Sequence, residues 1–352
     1  MKAIVLVGGK GTRLRPLTYD FPKPMMPICG KPFIEYQLQQ MKDFGISDVI
    51  FSLGYKWKTF DYHFGDGKDF GIKLHYVVED SPLGTGGAIK NIQKLLNSGE
   101  NFFVFNGDIL APFDLKAIYD LHTRNKSVCT LALTPVEDPT AYGVVETDKN
   151  NRITSFTEKP RPEEVRSNLI NAGLYVLNRR VLDYMKPDKK ISIERETFPS
   201  LLQANEPMYG YSHDGYWMDI GTPEKLLQAN YDVLEERMKL KTENPRTGLI
   251  PESVQIGENG KIVEPVLLGE NVLIGKNVKI TGPAVIEKDS KIGDNCVIDR
   301  SLIWEGAHIG NNCVLNQNIV GRFTQLHHDV SLPKKTVLGK NEIVKPGEKI
   351  KV

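Results

Sequence analysis

At 352 residues, with 45 basic and 44 acidic side chains and a formal net charge of +1, the chain is long enough for two cores. It has no overall charge pull toward nucleic acid or a membrane surface, so any cationic site must be local. Its four cysteines (Cys29, Cys129, Cys296 and Cys313) lack metal-ligand spacing, and the opening apolar run is too short for a signal peptide or membrane helix. Composition therefore predicts a reduced, cytoplasmic setting with no nucleic-acid and no membrane partner.

Residues 2–7, KAIVLV, predict one buried strand, and GGKGTRLRP follows at once. Gly8, Gly9 and Gly11 free the backbone to turn tightly with its N–H groups exposed, while Arg13, Arg15 and Lys23 add fixed positive charge. Together they predict a polyphosphate site. The turn matches neither GxGxxG with an acidic residue at the end of a second strand nor GxxxxGK followed by Ser or Thr.

PFIEYQLQQMKDFG predicts a helix with Pro32 near its start and Gly45 at its stop. SDVIFSL and FGIKLHYVVED predict strands, and SPLGTGG is a second flexible turn opening the helix AIKNIQKLL. FFVFNGD predicts an apolar strand ending in a carboxylate, and DLKAIYDLHTRN another helix. This alternation predicts an α/β, Rossmann-like, mostly parallel sheet covered by helices, with ligands beyond the carboxyl ends of the strands. The loops at 8–15, 79–87 and 106–109 share that edge.

From residue 128 onward VCTLALTPV, YGVVETD, RITSFTEKP and INAGLYVLN read as further strands, and 191–204 as a helix interrupted by Pro199. YWMDIGTPEKLLQANYDVLEERM predicts a short strand, a turn and a long helix with Thr222 as N-cap, Pro223 inside it and Glu224 in the first turn. The polar stretch 241–250 is expected to be the linker between a first domain (1–240) and a second domain (251–352).

Beyond 251 the pattern changes to a period of six. Ile256, Ile262, Leu268, Ile274, Ile280, Ile286, Ile292 and Ile298 recur six apart, with Gly, Glu, Asn or Asp often following. This is the rung pattern of a parallel β-helix, with three faces and about 18 residues per coil. The register slips by one near Trp304 and resumes at Ile309, Leu315 and Leu338. Cys296 and Cys313 are expected to stack inward on neighbouring coils as packed thiols.

Asp108 and Asp219 each end an apolar strand beside a glycine-bearing turn, where a lone carboxylate is costly unless it meets a cation or water. Converging beside a polyphosphate turn, the pair would suit Mg2+, a hard ion held by a few carboxylates and phosphate. The alternative for each is a carboxylate that caps its own turn. Lys23 and Lys159, each held beside a proline, are point charges suited to phosphate, and Glu158 and Asn171 could grip sugar hydroxyls.

The run GGKGTRLRPLTYDFPKPMMPICGKP, followed in order by EDSPLGTGGAI, FNGD, YGVVE, EKP, NAGLY and YWMDIGTPEKL, resembles the sugar-1-phosphate nucleotidylyltransferases, or sugar-nucleotide pyrophosphorylases. The match spans residues 1 to about 240, and the period-six tail looks like the left-handed β-helix that several members carry. The resemblance implies that the backbone at Gly8, Gly9, Gly11 and Thr12 holds the nucleotide phosphates, with Arg13 and Lys23 on the phosphates that leave. It places Glu79, Gly84 and Thr85 at the base, Asp108 and Asp219 on Mg2+, and Lys159 on the sugar phosphate. It places Gly143, Glu158 and Asn171 at the sugar.

The implied reaction is in-line attack of a sugar 1-phosphate oxygen on the α-phosphorus of a nucleoside triphosphate, releasing pyrophosphate. ISIERETFP and FNGD resemble the mannose-1-phosphate guanylyltransferases, implying GTP and mannose 1-phosphate as substrates. Gly86, where that group usually has alanine, leaves glucose with a thymidylyl or uridylyl donor as the alternative. A β-helix acyltransferase using His308, His327 or His328, and an inactive regulatory subunit, are the rival classes. The open ends of the β-helix predict a homo-oligomer.

Overall fold

The computed structural model describes residues 1–54, 56–187, 189–238 and 248–348. It opens with β1 (Lys2–Leu6), the hairpin β2 (Pro27–Ile28) and β3 (Lys31–Pro32), α1 (Phe33–Phe44), β4 (Asp48–Leu53), α2 (Trp57–Phe64) and β5 (Lys73–Val78). There follow α3 (Gly84–Asn91), β6 (Asn101–Asn106), β7 (Ile109–Leu110), α4 (Leu115–Arg124), β8 (Cys129–Pro135) and β9 (Gly143–Thr147). Next come β10 (Ile153–Glu158), β11 (Leu169–Asn178), α5 (Phe198–Gln203), β12 (Met208–Ser212), β13 (Met218–Asp219) and α6 (Pro223–Leu234). The chain divides into two compact units, Met1–Gly9 with Tyr36–Trp217, and Lys10–Glu35 with Met218–Val352. The linker expected at 241–250 falls mostly outside the described residues.

The first unit is built on one mixed sheet in the order β10-β9-β11-β6-β1-β4-β5, with β8 joining β11 and β12 joining β8. β1 lies between β4 and β6 and is parallel to both. Ile4, Ile50, Phe102 and Val104 are all buried in the same core, as expected for parallel strands covered on both faces. Past β6 the pairing turns antiparallel through β11, β9 and β10.

Neither α2 nor β12 was expected. In α2 only Phe60 and Phe64 are buried, packing edge-on against Phe51, so its apolar stripe is too thin to signal a helix. β12 (MYGYS) pairs β8 at the margin of the sheet. Pro199 does not interrupt a helix. A π-turn over Ile193–Thr197 precedes α5, and the proline sits in the first turn of α5, where its missing N–H has no cost.

In the second unit the period-six segment forms a parallel β-helix. One face stacks Gln255 on Leu273, Leu273 on Lys291, Lys291 on His308, His308 on Gln325 and Gln325 on Ile343. The steps are 18, 18, 17, 17 and 18 residues, so the slip seen near Trp304 is a pair of coils one residue short. The corners are held by a ladder of Asn259, Asn277, Asn295, Asn312 and Asp329, each side chain bonded to the next at 2.8–3.1 Å. All five sit at φ between 55° and 62°, a conformation that Asn and Asp tolerate better than other non-glycine residues. Cys296 and Cys313 are buried free thiols on adjacent coils, donating to the carbonyls of Gly310 and His327 at 3.0 and 3.2 Å. No helix among the described residues is long and apolar enough to cross a membrane.

Glu287 lies buried in this β-helix, accepting a hydrogen bond from the Glu305 amide at 3.1 Å. Burial pushes its carboxyl up to about 7, against the partial offset of that bond and of Arg322. Its pKa is raised on folding, so its stabilising contribution is complete below about 4.5 and is lost as pH rises through 7. Glu287→Gln keeps the acceptor and removes the charge. Its melting temperature should match the parent at pH 5 and exceed it at pH 8, by the equivalent of about 2 kcal/mol. Equal melting at both pH values in a thermal scan would contradict this.

Candidate active site

In the first unit, β1 delivers the chain to Gly8, whose backbone lies against Gly54. A Cβ on Gly54 would stand 3.3 Å from the Gly8 carbonyl oxygen. Nothing lies within 4 Å of where a Gly9 Cβ would be, so the backbone there is open to a ligand. Glu79 closes the neighbouring turn. One carboxylate oxygen accepts from the Ser52 hydroxyl at 3.0 Å and the other from the Leu83 amide at 2.9 Å. Its side chain therefore buttresses the loop.

The second glycine turn is moulded onto the segment 189–193. Gly84 has φ +71°, and a Cβ there would meet the Ile191 carbonyl oxygen at 2.5 Å. Gly86 and Gly87 both donate to that oxygen. Gly86 departs from the usual alanine for a local reason, since its Cβ would meet Ile191 Cγ2 at 2.7 Å. The Thr85 hydroxyl donates to Glu194 at 2.7 Å and accepts from the Ile193 amide at 3.0 Å. Glu194, to which the sequence assigned no role, is thus tied into the site by Thr85 and by the Ser192 hydroxyl at 2.7 Å.

Asp108 follows β6 as a half-buried carboxylate. Gly107 before it donates to Leu6, and a Cβ on it would stand 2.4 Å from Val7 Cγ1. Only glycine lets the strand end pass β1 this closely.

Gly143, Glu158 and Lys159 come together where β9 meets β10, with Glu158 opposite Gly143. Glu158 Oε2 would be 2.9 Å from a Cβ on that glycine. Burial, and then the charge of Glu194, raise the Glu158 carboxyl, while Lys159 and Arg195 pull it down. Lys159 turns the chain at φ 52° and is exposed. Asn171 sits at the bulge of β11, donating to the Tyr175 hydroxyl at 2.9 Å and accepting from Gly173 at 3.1 Å. Trp217, also without an assigned role in the sequence reading, donates to the carbonyl of Ala172 at 2.9 Å and packs edge-on to Tyr142.

The second unit carries Gly11, Thr12, Arg13, Lys23 and Asp219. Gly11, at φ +57°, opens the short turn Thr12–Leu14, and its carbonyl accepts from the Thr18 hydroxyl and the Leu14 amide. Thr12 and Arg13 are exposed at that turn. The Arg13 guanidinium lies over Gly221, where a Cβ would be 3.0 Å from Nη2 and 3.4 Å from Asp219 Oδ1. Lys23, only 9% exposed, pairs with Asp219 Oδ1 at 3.3 Å, and Lys225 reaches Oδ2 at 4.0 Å. Two lysines thus pair with this carboxylate, and Arg13 lies beside Gly221, two residues further along. Lys225 is a member that its place in TPEKL could have signalled.

A family model described as Nucleotidyl transferase matches residues 2–236, and one described as EIF2B subunit epsilon LbH domain matches residues 248–350. The chain is 44% identical over 233 residues to Mannose-1-phosphate guanylyltransferase of Mycobacterium tuberculosis, covering 66% of this chain and 64% of that protein. It therefore spans just under two thirds of that relative's length. It is 37% identical over 266 residues to the catalytic subunit beta of Mannose-1-phosphate guanylyltransferase from Drosophila melanogaster, covering 73% and 71%. Among solved structures, HddC from Yersinia pseudotuberculosis complexed with GMP-PN matches with a TM-score of 0.56 and 31% identity. That alignment covers 65% of this chain and 97% of HddC.

Proposed function

We propose that this chain, which belongs to the nucleotidyl transferase family, transfers a nucleotidyl group from a nucleoside triphosphate to a sugar 1-phosphate, releasing pyrophosphate. The observation that carries the proposal is the cationic cluster of Lys23 and Lys225 on Asp219 with Arg13 against Gly221, beside the left-handed turn at Gly11. Such a cluster neutralises charge that grows on a leaving pyrophosphate. The backbone at Gly8, Gly9, Gly11 and Thr12 supplies N–H donors to the phosphates. Glu79 and Thr85 spend their side chains shaping the turn at Gly84, so the nucleotide base would be met there mainly by backbone. Lys159 would take the sugar phosphate, and Gly143, Glu158 and Asn171 the sugar. The attacking phosphate oxygen is already anionic, so no general base is required. Alignment and charge neutralisation carry the rate.

Magnesium suits the residues present. It is usually held by one or two carboxylates plus substrate phosphate, and Asp108 and Asp219 are half-buried oxygen donors, each at a strand end. Bound there, it would supply divalent charge against the triphosphate. The names of the relatives favour GTP and mannose 1-phosphate, hence GDP-mannose as product. A homo-oligomer is supported by the first coil of the β-helix, which leaves Ile256 and Val263 38% and 47% exposed. A cytoplasmic setting accords with the four free cysteines. Residues 1–240 would serve as the catalytic domain and 251–352 as the β-helix domain.

The test is pyrophosphate release in magnesium across GTP, dTTP, UTP, ATP and CTP, each with mannose or glucose 1-phosphate. The strongest signal is expected for GTP with mannose 1-phosphate. A stronger one for dTTP or UTP with glucose 1-phosphate would keep the reaction and overturn the substrates. Acetyl-CoA consumption in place of pyrophosphate release would overturn the reaction itself.

A further inference from the structure

The loop between Arg13 and Lys23 has little regular structure of its own. It is a string of short turns, Thr12–Leu14, Leu17–Tyr19 and Lys23–Met25. Its shape is therefore set by what its side chains meet, and within the second unit they meet the β-helix. The Arg322 guanidinium lies 4.4 Å over the ring of Phe21, and the indole of Trp304 meets the same ring edge-on at 6.5 Å. Lys340 pairs with Asp20 at 3.1 Å. Gly339 lies so close that a Cβ on it would be 3.1 Å from Pro16.

These contacts are built, not incidental. Glu305, Arg322 and Lys340 form one column, 17 and 18 residues apart, and Trp304 stands next to Glu305 in its coil. Neighbouring amides tie the coils together, Phe323 donating to Glu305 and Asn341 to Arg322. Trp304 is 2% exposed. Arg322 is fixed by Glu305 at 2.7 Å, and Glu305 in turn by Lys288 at 3.3 Å.

We infer that the β-helix is part of the triphosphate-binding machinery, with Trp304, Arg322 and Lys340 as positioning residues for the loop that carries Arg13 and Lys23. The inference rests on the proposal above that this loop grips phosphate. A loop held at Asp20 and Phe21 presents both cations in one arrangement before the triphosphate arrives, so binding does not have to order it. Without the column, the loop would have to be ordered by the ligand itself. The effect should fall on the nucleotide and spare the sugar phosphate.

The experiment compares Phe21→Leu, Arg322→Gln and the double variant with the parent, using GTP and mannose 1-phosphate or whichever pair the substrate survey selects. Each single variant should raise KM for the triphosphate about five- to tenfold, the size of a partly desolvated cation–π contact. KM for the sugar phosphate should stay within about twofold. The double variant should be no worse than the weaker single, because both remove one contact. Lys340→Gln, at a more exposed pair, should show a smaller change in the same direction and guards against a folding defect in the others.

Triphosphate KM unchanged in folded variants, or both KM values moved equally, overturns the inference. GTP binding by the parent, followed by calorimetry, separates the two levels. A parent that binds no triphosphate removes the proposed function and this inference together. A parent that binds it as tightly as the variants do removes the inference alone.

Discussion

Asp108→Asn is expected to lower turnover by about a hundredfold or more in magnesium while the protein melts as the parent does. Asparagine has nearly the same shape but no charge, so it fills the space after β6 and loses the hard anionic donor that a divalent ion needs. The strand end itself is set by Gly107 against Leu6 and Val7, which the substitution leaves alone. Asp219→Asn should cost a similar factor but with a stability penalty. Lys23 is only 9% exposed and pairs with Asp219 Oδ1 at 3.3 Å, and a cation left buried without its carboxylate costs about 1–3 kcal/mol. Steady-state turnover alongside a melting curve checks both. Near-normal turnover of folded Asp108→Asn would remove Asp108 from the metal site.

Gly84→Ala should be the most damaging small substitution in the second glycine turn. Alanine at φ +71° is strained in itself, and its Cβ would also stand 2.5 Å from the Ile191 carbonyl oxygen. That oxygen already accepts from Gly86 and Gly87, while Ile191 donates to Leu83. Backbone must therefore move on one side or the other. The expected cost is about 2 kcal/mol or more, a fall of several degrees in melting temperature. The same movement pulls Thr85 off Glu194, so KM for the triphosphate should rise as well. A variant with parental melting and parental KM would show that the turn is not moulded as described.

How much of this was legible in the sequence depended on whether the signal was local. β1, β4 and β6 were readable because strands buried on both faces are continuous apolar runs, and α1 because Pro32 and Gly45 bracket it. The β-helix was readable down to its slip at Trp304, since each coil repeats the same inward positions. α2 was not, because a helix that buries only two aromatic side chains leaves no periodic stripe.

At the site, the residue types were visible but their partners were not. The resemblance assigned Glu79 and Thr85 to the base, and in the structure their polar atoms are bonded to Ser52, Leu83, Ile193 and Glu194. Those contacts join segments up to 109 residues apart, a separation that no motif encodes. The grouping of Lys10–Glu35 with the β-helix has the same origin. Phe21 reads as a loop aromatic until Arg322 is found above it.

The claim on which everything else depends is that the bond broken lies between the α- and β-phosphorus. The most direct measurement follows label from GTP carrying 32P at either the α or the γ position, incubated with mannose 1-phosphate and magnesium. The α label is expected in a nucleotide sugar that survives phosphatase, and the γ label in pyrophosphate. Release of the γ label as inorganic phosphate, with the α label left in GDP, would identify a different phosphoryl chemistry and contradict nucleotidyl transfer.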